Sequence, residues 1–271
     1  MSAALQDRVA IVTGAAGAIG AGICRGLCEA GCRVAAADID EPATERLAAE
    51  LAAAGGSGDV AAVPMDVTSA AAVRDAFDAV LERWGRLDVV VANAGIAAVA
   101  PLVDLDLAVF QRLEKVNVEG TLLTLAEAGR RFRDQGRGGD IVLVSSKNVF
   151  APGARFGAYS ATKAAAHQLA RIASLEFAEY GVRVNMVAPD AVFSDGDRRS
   201  GLWAAVGPSR MKARGLQADE LEEYYKGRNL LKERITARHV AEAVLFFVSH
   251  RTPTTGATLP VDGGLPDATP R

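Results

Sequence analysis

Short apolar runs recur along the chain, separated by segments of helix length. Val9-Ala10-Ile11-Val12, Val34-Ala35-Ala36-Ala37, Val89-Val90-Val91-Ala92 and Ile141-Val142-Leu143-Val144 are continuous rather than alternating. A strand with one wet face would alternate, so these are expected to be buried on both faces. The pattern predicts strands at 9–13, 33–37, 60–64, 89–92, 141–144, 183–187 and 256–260. Helices are predicted at 18–30, 43–54, 70–84, 107–133, 158–180 and 237–249. Strands that alternate with helices form a parallel sheet covered on both sides, an α/β fold of three layers.

The alternation breaks over 194–234, a polar and charged stretch that carries Trp203, Tyr224 and Tyr225. It leaves the sheet just past the carboxyl end of a strand, where open α/β sheets bind ligands, so a helical lid over a site is expected there. A surface excursion of no consequence is the competing reading. The tail 266–271 is expected to be loose. With no internal repeat and no linker composition, the whole of 1–271 is expected to be one domain.

Composition narrows the function classes. Half of the 271 residues are hydrophobic, enough for a sizeable core, and a formal net charge of −3 argues against a nucleic-acid footprint. No uninterrupted apolar run reaches membrane-spanning length, because the uncharged stretch 9–24 is broken by glycines. The first eight residues lack a signal-peptide layout, so a cytoplasmic location is expected. Cys24, Cys28 and Cys32 are spaced to share a helical face, and with no histidine nearby they read as core residues rather than metal ligands.

Chemistry first appears at Thr13-Gly14-Ala15-Ala16-Gly17-Ala18-Ile19-Gly20, between the first strand and the first helix. Glycines there permit a tight turn and close approach of a pyrophosphate to the helix N-terminus. Asp38 closes the next strand, where a carboxylate accepts from the adenosine ribose hydroxyls and repels a 2′-phosphate. No arginine or lysine lies within 14–20 to offset it, so NAD is expected rather than NADP.

Tyr159 and Lys163 are four apart near a helix start and share a face. A phenol near pKa 10 is a poor base at neutral pH, and a neighbouring ammonium lowers that value. Ser146 lies just past a strand's carboxyl end, and Asn93-Ala94-Gly95 and Asn117 complete an ordered set. In this order and spacing the motifs closely resemble the short-chain dehydrogenase/reductase family over nearly the whole chain. The resemblance implies a seven-stranded parallel Rossmann sheet, NAD(P)-dependent chemistry on CH–OH groups, and a homodimer or homotetramer built on the two long central helices.

It also implies roles. Tyr159 is the general acid/base, Ser146 positions the substrate oxygen, Lys163 binds the nicotinamide ribose, and Asn117 holds a water that connects the lysine to solvent. Gly14, Ala16, Gly17, Ala18, Ile19, Gly20, Asp38, Ile39, Asp66, Val67, Asn93, Ala94, Gly95, Tyr159, Lys163, Pro189, Val192 and Ser194 are the implied cofactor positions. Two departures stand out. Asp190 follows Pro189 where the family usually has glycine, and Ser194 stands where a threonine often contacts the carboxamide. Asp190 either braces its turn or touches a substrate hydroxyl.

The segments 145–153, 189–193 and 221–232 resemble the dehydrogenase part of bifunctional rhamnulose-phosphate aldolase/dehydrogenase proteins and, more distantly, sorbitol-6-phosphate dehydrogenase. That branch implies a polyol, sugar or hydroxyaldehyde substrate, with Ser146, Asn148, Arg155 and Asp190 as candidate contacts. Lys147 and Arg155 have solvent exposure as their plain alternative. A ketone or 3-oxoacyl thioester reductase is the rival enzyme, and a non-catalytic dinucleotide-binding regulator is the rival outside enzymes.

Overall fold

The computed structural model describes residues 5–55, 59–195, 198–217 and 220–266. The apolar runs form strands β1 (Val9–Thr13), β2 (Arg33–Asp38), β3 (Val60–Pro64), β4 (Val89–Ala92), β5 (Gly139–Val144) and β6 (Val182–Pro189). Two short strands, β7 (Ser194–Asp195) and β8 (Arg198–Arg199), pair only with each other, and β9 (Thr258–Val261) follows later. The other seven make one sheet in the order β3-β2-β1-β4-β5-β6-β9, with every pairing parallel. The last strand starts two residues later than its apolar run suggests. Gly256 is in a left-handed turn (φ +74) whose N–H donates to the Val184 carbonyl at 2.7 Å.

Between the strands run α1 (Ala18–Glu29), α2 (Glu41–Ala53), α3 (Ala70–Trp84), α4 (Leu107–Glu114), α5 (Gly120–Gln135), α6 (Gly157–Glu176) and α9 (Ala237–Val248). Their starts are set locally. Asp40, Ser69 and Thr236 accept hydrogen bonds from first-turn amides as N-caps of α2, α3 and α9. The expected single helix 107–133 is continuous but carries a π turn over Lys115–Glu119, and the helix expected to reach 180 finishes as a 3₁₀ turn, Phe177–Tyr180. The excursion is helical, with α7 (Gly201–Arg214) and α8 (Glu220–Arg228).

Successive strand residues point to opposite faces, so the continuous runs feed two cores. Ala10, Val12, Val34, Val89, Val91 and Val142 pack with α1, α2 and α9, while Val9, Ile11, Val90, Ile141, Leu143 and Met186 pack with α3, α5 and α6. α1 lies tight on α9. A Cβ on Gly22 would fall 2.5 Å from the Ala237 Cβ, which leaves no room for any other residue.

Cys24, Cys28 and Cys32 all belong to this core as expected, although Cys32 lies past the end of α1. The chain turns at Gly31 (φ +96), and the Cys32 thiol donates to the Leu5 carbonyl at 3.4 Å. Burial pushes the Cys28 and Cys32 thiols up to about 12 and about 11, so they are poor nucleophiles and poor ligands. Among the described residues no group of metal-ligating side chains occurs, and no helix is long and apolar enough to cross a membrane. The tail expectation for 267–271 falls outside the described residues.

At the amino ends of the strands, buried Asp140 gathers two arginines and a histidine. Arg8 reaches it at 2.6 Å, Arg183 at 2.5 Å and His250 at 2.6 Å. Arg8 and Arg183 go on to the carbonyls of Val248 and Phe247, joining β1, β5 and β6 to the end of α9. Asp140→Ala leaves two arginines without their carboxylate, and we expect it to lower unfolding free energy by about 3–5 kcal/mol in urea titration. Breaking the exposed Arg33–Asp7 pair by Arg33→Ala is expected to cost about 1 kcal/mol or less.

Candidate active site

Because every strand of the sheet runs the same way, all carboxyl ends open on one edge, and the strand order reverses between β1 and β4. That switch point is where open α/β sheets bind ligands. Here it is built from two interlocked loops. The Asn93 side-chain amide donates to the carbonyls of Thr13 and Gly14, at 2.9 and 3.0 Å, and the Thr13 hydroxyl accepts from the amides of Asn93 and Ala94. Gly14 has φ +66, and a Cβ there would meet the Ala94 Cα at 2.8 Å; a Cβ on Gly20 would fall 2.2 Å from the Gly14 carbonyl oxygen.

Gly17 is different. A Cβ on it would meet nothing nearer than the Gly14 carbonyl oxygen at 3.6 Å, so the protein's own packing does not require glycine. Gly17 is the N-cap of α1, with no side-chain cap and no acidic residue in the first turn. The amides of that turn are open to an anion, and a side chain at 17 would stand in its way. Asp38 faces the same loop. Its carboxylate accepts from the amides of Ala16 and Asp40, both at 3.0 Å, which fixes it at the end of β2. Asp66 accepts from the Thr68 amide and hydroxyl at 2.8 Å and turns the chain after β3, with Val67 buried beside it. The arrangement fits a dinucleotide with its pyrophosphate at α1 and its ribose at Asp38.

The second half of the site lies past β5. Ser146 caps a 3₁₀ turn, Lys147–Val149, and its hydroxyl oxygen accepts from the Asn148 amide at 3.2 Å. Tyr159 and Lys163 are both buried on the same face of α6, and the Lys163 ammonium donates to the Val144 carbonyl at 2.9 Å. Burial pushes the phenol of Tyr159 up to about 12; the Ser146 hydroxyl hydrogen-bonds it and pulls it down, and the Asp190 charge pushes it further up. Burial also pushes Lys163 down to about 8. The balance therefore differs from the expectation that the lysine sets the tyrosine pKa. Desolvation dominates both groups.

Asn117 sits buried in the π turn. Its amide donates to the Ile96 carbonyl at 2.9 Å and the Thr162 hydroxyl at 3.0 Å, and its oxygen accepts from the Ile96 amide. Gly95 lies against both partners, since a Cβ there would fall 3.2 Å from the Asn117 oxygen and 3.3 Å from the Lys163 ammonium. Asn117 thus ties the loop after β4 to α6.

These observations place the chain among known proteins. The family described as short chain dehydrogenase matches residues 8–204. This chain belongs to that family. It is an oxidoreductase acting on CH–OH groups with a nicotinamide dinucleotide. It is 38% identical over 268 residues to an uncharacterized oxidoreductase, YuxG, of Bacillus subtilis, covering 98% of this chain but only 38% of that protein's length. It is 35% identical to the (-)-isopiperitenol/(-)-carveol dehydrogenase of Mentha piperita over 96% of this chain and 94% of the relative. A sorbitol dehydrogenase of Cereibacter sphaeroides is 35% identical over 74% of this chain and 75% of its own. Among solved structures, sorbitol-6-phosphate 2-dehydrogenase of Erwinia amylovora superposes with a TM-score of 0.86 at 30% identity, over 94% of this dehydrogenase and 98% of that one.

The other anticipated positions differ in exposure. Ile39 is 73% exposed, and Ser194 lies exposed in the short β7 strand, whereas Val192 is buried in the core. Arg155 has a left-handed backbone (φ +71) and is exposed, while Asn148 and Lys147 are buried. Lys147 donates to the Ala151 carbonyl at 3.1 Å. His167, which the sequence reading passed over, is one turn beyond Lys163 on the same face; its Nδ1 is 2.9 Å from the Ser145 hydroxyl and its Nε2 is 3.4 Å from the Thr258 hydroxyl. The spacing 159, 163, 167 was the available signal.

The depressed Lys163 pKa sets a sign. Below pH 8 both folded and unfolded lysines are charged, and the native state carries the full burial penalty. Between about 8 and 10.5 the native lysine is neutral while the unfolded one is not, so the penalty shrinks to nothing. Over that range the enzyme is expected to gain roughly 3 kcal/mol relative to a Lys163→Met variant, read from paired urea titrations.

Proposed function

We propose that this dehydrogenase uses NAD to interconvert a secondary alcohol and a carbonyl on a small polyol, sugar or hydroxyaldehyde, within one domain. The observation that carries the reaction is the convergence of Ser146, Tyr159 and Lys163 at the carboxyl edge, next to the glycine turn. Tyr159 moves the proton at the substrate oxygen. With its pKa near 12 the phenol is held protonated at neutral pH, ready to donate in reduction. In the oxidising direction it must lose that proton, and the Ser146 hydrogen bond favours the phenolate. Ser146 also holds the substrate oxygen, with its own oxygen fixed by the Asn148 amide. Lys163 binds the ribose on the nicotinamide side, and Asn117 keeps α6 in register with the loop after β4. When bound, the nicotinamide ring takes up or returns the hydride.

Asp38 supports NAD over NADP, because its carboxylate is fixed at the ribose end and opposes a phosphate there. The names of the sorbitol dehydrogenase and sorbitol-6-phosphate dehydrogenase relatives support the polyol class. So do buried Lys147, Asn148 and Asp190, since a polyhydroxylated ligand needs paired donors and acceptors. The greater length of YuxG agrees with the resemblance to the dehydrogenase part of a longer protein. The apolar groove between α5 and α6, with exposed Leu122 and Ile172, supports a homodimer or homotetramer.

A panel of sugars and polyols with NAD, run beside 3-oxoacyl thioesters with NADPH, tests the reading. NAD-linked polyol oxidation is expected, and turnover of the thioesters alone would overturn it. Tyr159→Phe is expected to cut turnover by about 10²–10⁴-fold while NAD still binds by fluorescence titration. Full activity in that variant would remove Tyr159 from the mechanism, and an inactive wild type that binds NAD would favour the regulator. Asp38→Ala is expected to reduce the preference for NAD over NADP by about tenfold or more in kcat/KM.

A further inference from the structure

Asp190 follows Pro189 at the end of β6, and the next residue, Ala191, has a left-handed backbone (φ +48). The turn is braced by the main chain, because the Asp190 amide donates to the Val261 carbonyl at 3.1 Å. The side chain is not needed for that. It is 8% exposed; among the described residues no hydrogen-bond donor reaches its carboxylate, whose oxygens keep some contact with solvent. A nearly buried carboxylate whose acceptor sites are not filled by the protein is free to accept from a ligand.

The surroundings say where that donor sits. Lys147, from the turn after β5, and Arg228, from α8, face Asp190 with positive charge, Asp262 faces it with negative charge, and Tyr159 lies within reach of its field. Asp190 also borders a small cleft with Phe193, Tyr225 and Asn229, which Ser146 and Tyr159 do not line. Ser146 lies two residues past Val144 and Asp190 three past Val187, and those two strand residues are paired in register. Neighbouring strands are about 4.8 Å apart, so the two residues leave the same edge of the sheet from adjoining strands.

Building on the polyol reading above, we infer that Asp190 accepts a hydrogen bond from a second hydroxyl on the carbon next to the reacting one. The substrate class is then a vicinal diol, and the product an α-hydroxycarbonyl compound. Oxidation breaks the C–H and O–H bonds of one carbinol. The hydride goes to NAD⁺, the proton goes to solvent by way of Tyr159, and the second hydroxyl remains intact. A site with a buried acceptor discriminates strongly against an analogue that lacks the hydroxyl, because the acceptor is then left unpaired.

The test compares propylene glycol with isopropanol, which differ by that one hydroxyl, in NAD-linked kcat/KM. The wild-type enzyme is expected to prefer the diol by about tenfold or more, and Asp190→Ala to lose most of that preference. Asp190→Asn, nearly the same size and able to accept without the charge, is expected to fall between them; it also covers the case in which the alanine variant does not fold. Equal use of the two alcohols by the wild type overturns the inference, as does a diol preference that survives both substitutions. Turnover on the polyol panel with none on propylene glycol overturns the inference and leaves the polyol reading standing. No turnover on any polyol overturns both.

Discussion

A buried ammonium tied to a strand end holds this site together. Lys163, on α6, donates to the Val144 carbonyl at the last residue of β5. An unpaired charge in that position would be costly, so helix and strand end are held at one separation. Ser146 follows two residues after Val144, and Tyr159 precedes Lys163 by one helical turn. One hydrogen bond therefore sets the approach of the serine to the phenol. Asn117 extends the same constraint by linking Thr162, next to Lys163, to the backbone of Ile96. His167, one turn on, fixes Ser145 from the other side of the same helix face.

Much of this was legible in the chain. The strands were readable because both faces of the sheet are covered, so burial writes itself as unbroken apolar runs with bounds set by polar loops. The glycine turn and Asp38 were readable for a local reason: turn, helix start and strand end are close in sequence, and their geometry needs little from the rest of the fold. Asp140 carried no such signal. Its partners Arg8, Arg183 and His250 are distant in sequence and meet only once β1, β5, β6 and the end of α9 are assembled. The π turn was equally hidden, since one added residue barely disturbs a helical pattern over 107–133. Arg155 misled for the opposite reason. It lies between Ser146 and Tyr159 in sequence, but in the fold it has a left-handed backbone and is exposed to solvent.

The stretch 194–234 was read as a lid from its polarity and position, and its packing gives that reading physical content. Phe193, just past β6, stacks on Trp203 of α7 with ring centroids 4.3 Å apart, and Tyr225 of α8 meets Trp203 edge-on at 4.7 Å. Buried Arg210 reaches the Tyr225 hydroxyl at 3.2 Å and lies over the Phe156 ring, immediately before α6. The excursion is thus attached at both flanks of the site, beside the turn after β6 and beside the start of the tyrosine helix. Large aromatic contacts of this kind contribute beyond their buried area. A ligand that displaced Phe193 or Phe156 would be felt by both added helices.

The charges near Tyr159 then explain why a glycine-like turn carries a carboxylate. Burial alone raises the phenol and lowers the lysine, so at neutral pH the phenol keeps its proton while the lysine is still mostly charged. Adding Asp190 to such a pocket looks unfavourable, because its charge opposes formation of the phenolate. The opposition weakens if the carboxylate is engaged by a hydroxyl donor and by the fields of Lys147 and Arg228, which spread and offset its charge. A substrate that brings its own donor would then ease deprotonation of Tyr159 as it binds, and one without that donor would meet both an unpaired acid and a reluctant base. Substrate choice and proton transfer are in this way linked through a single side chain at the end of β6.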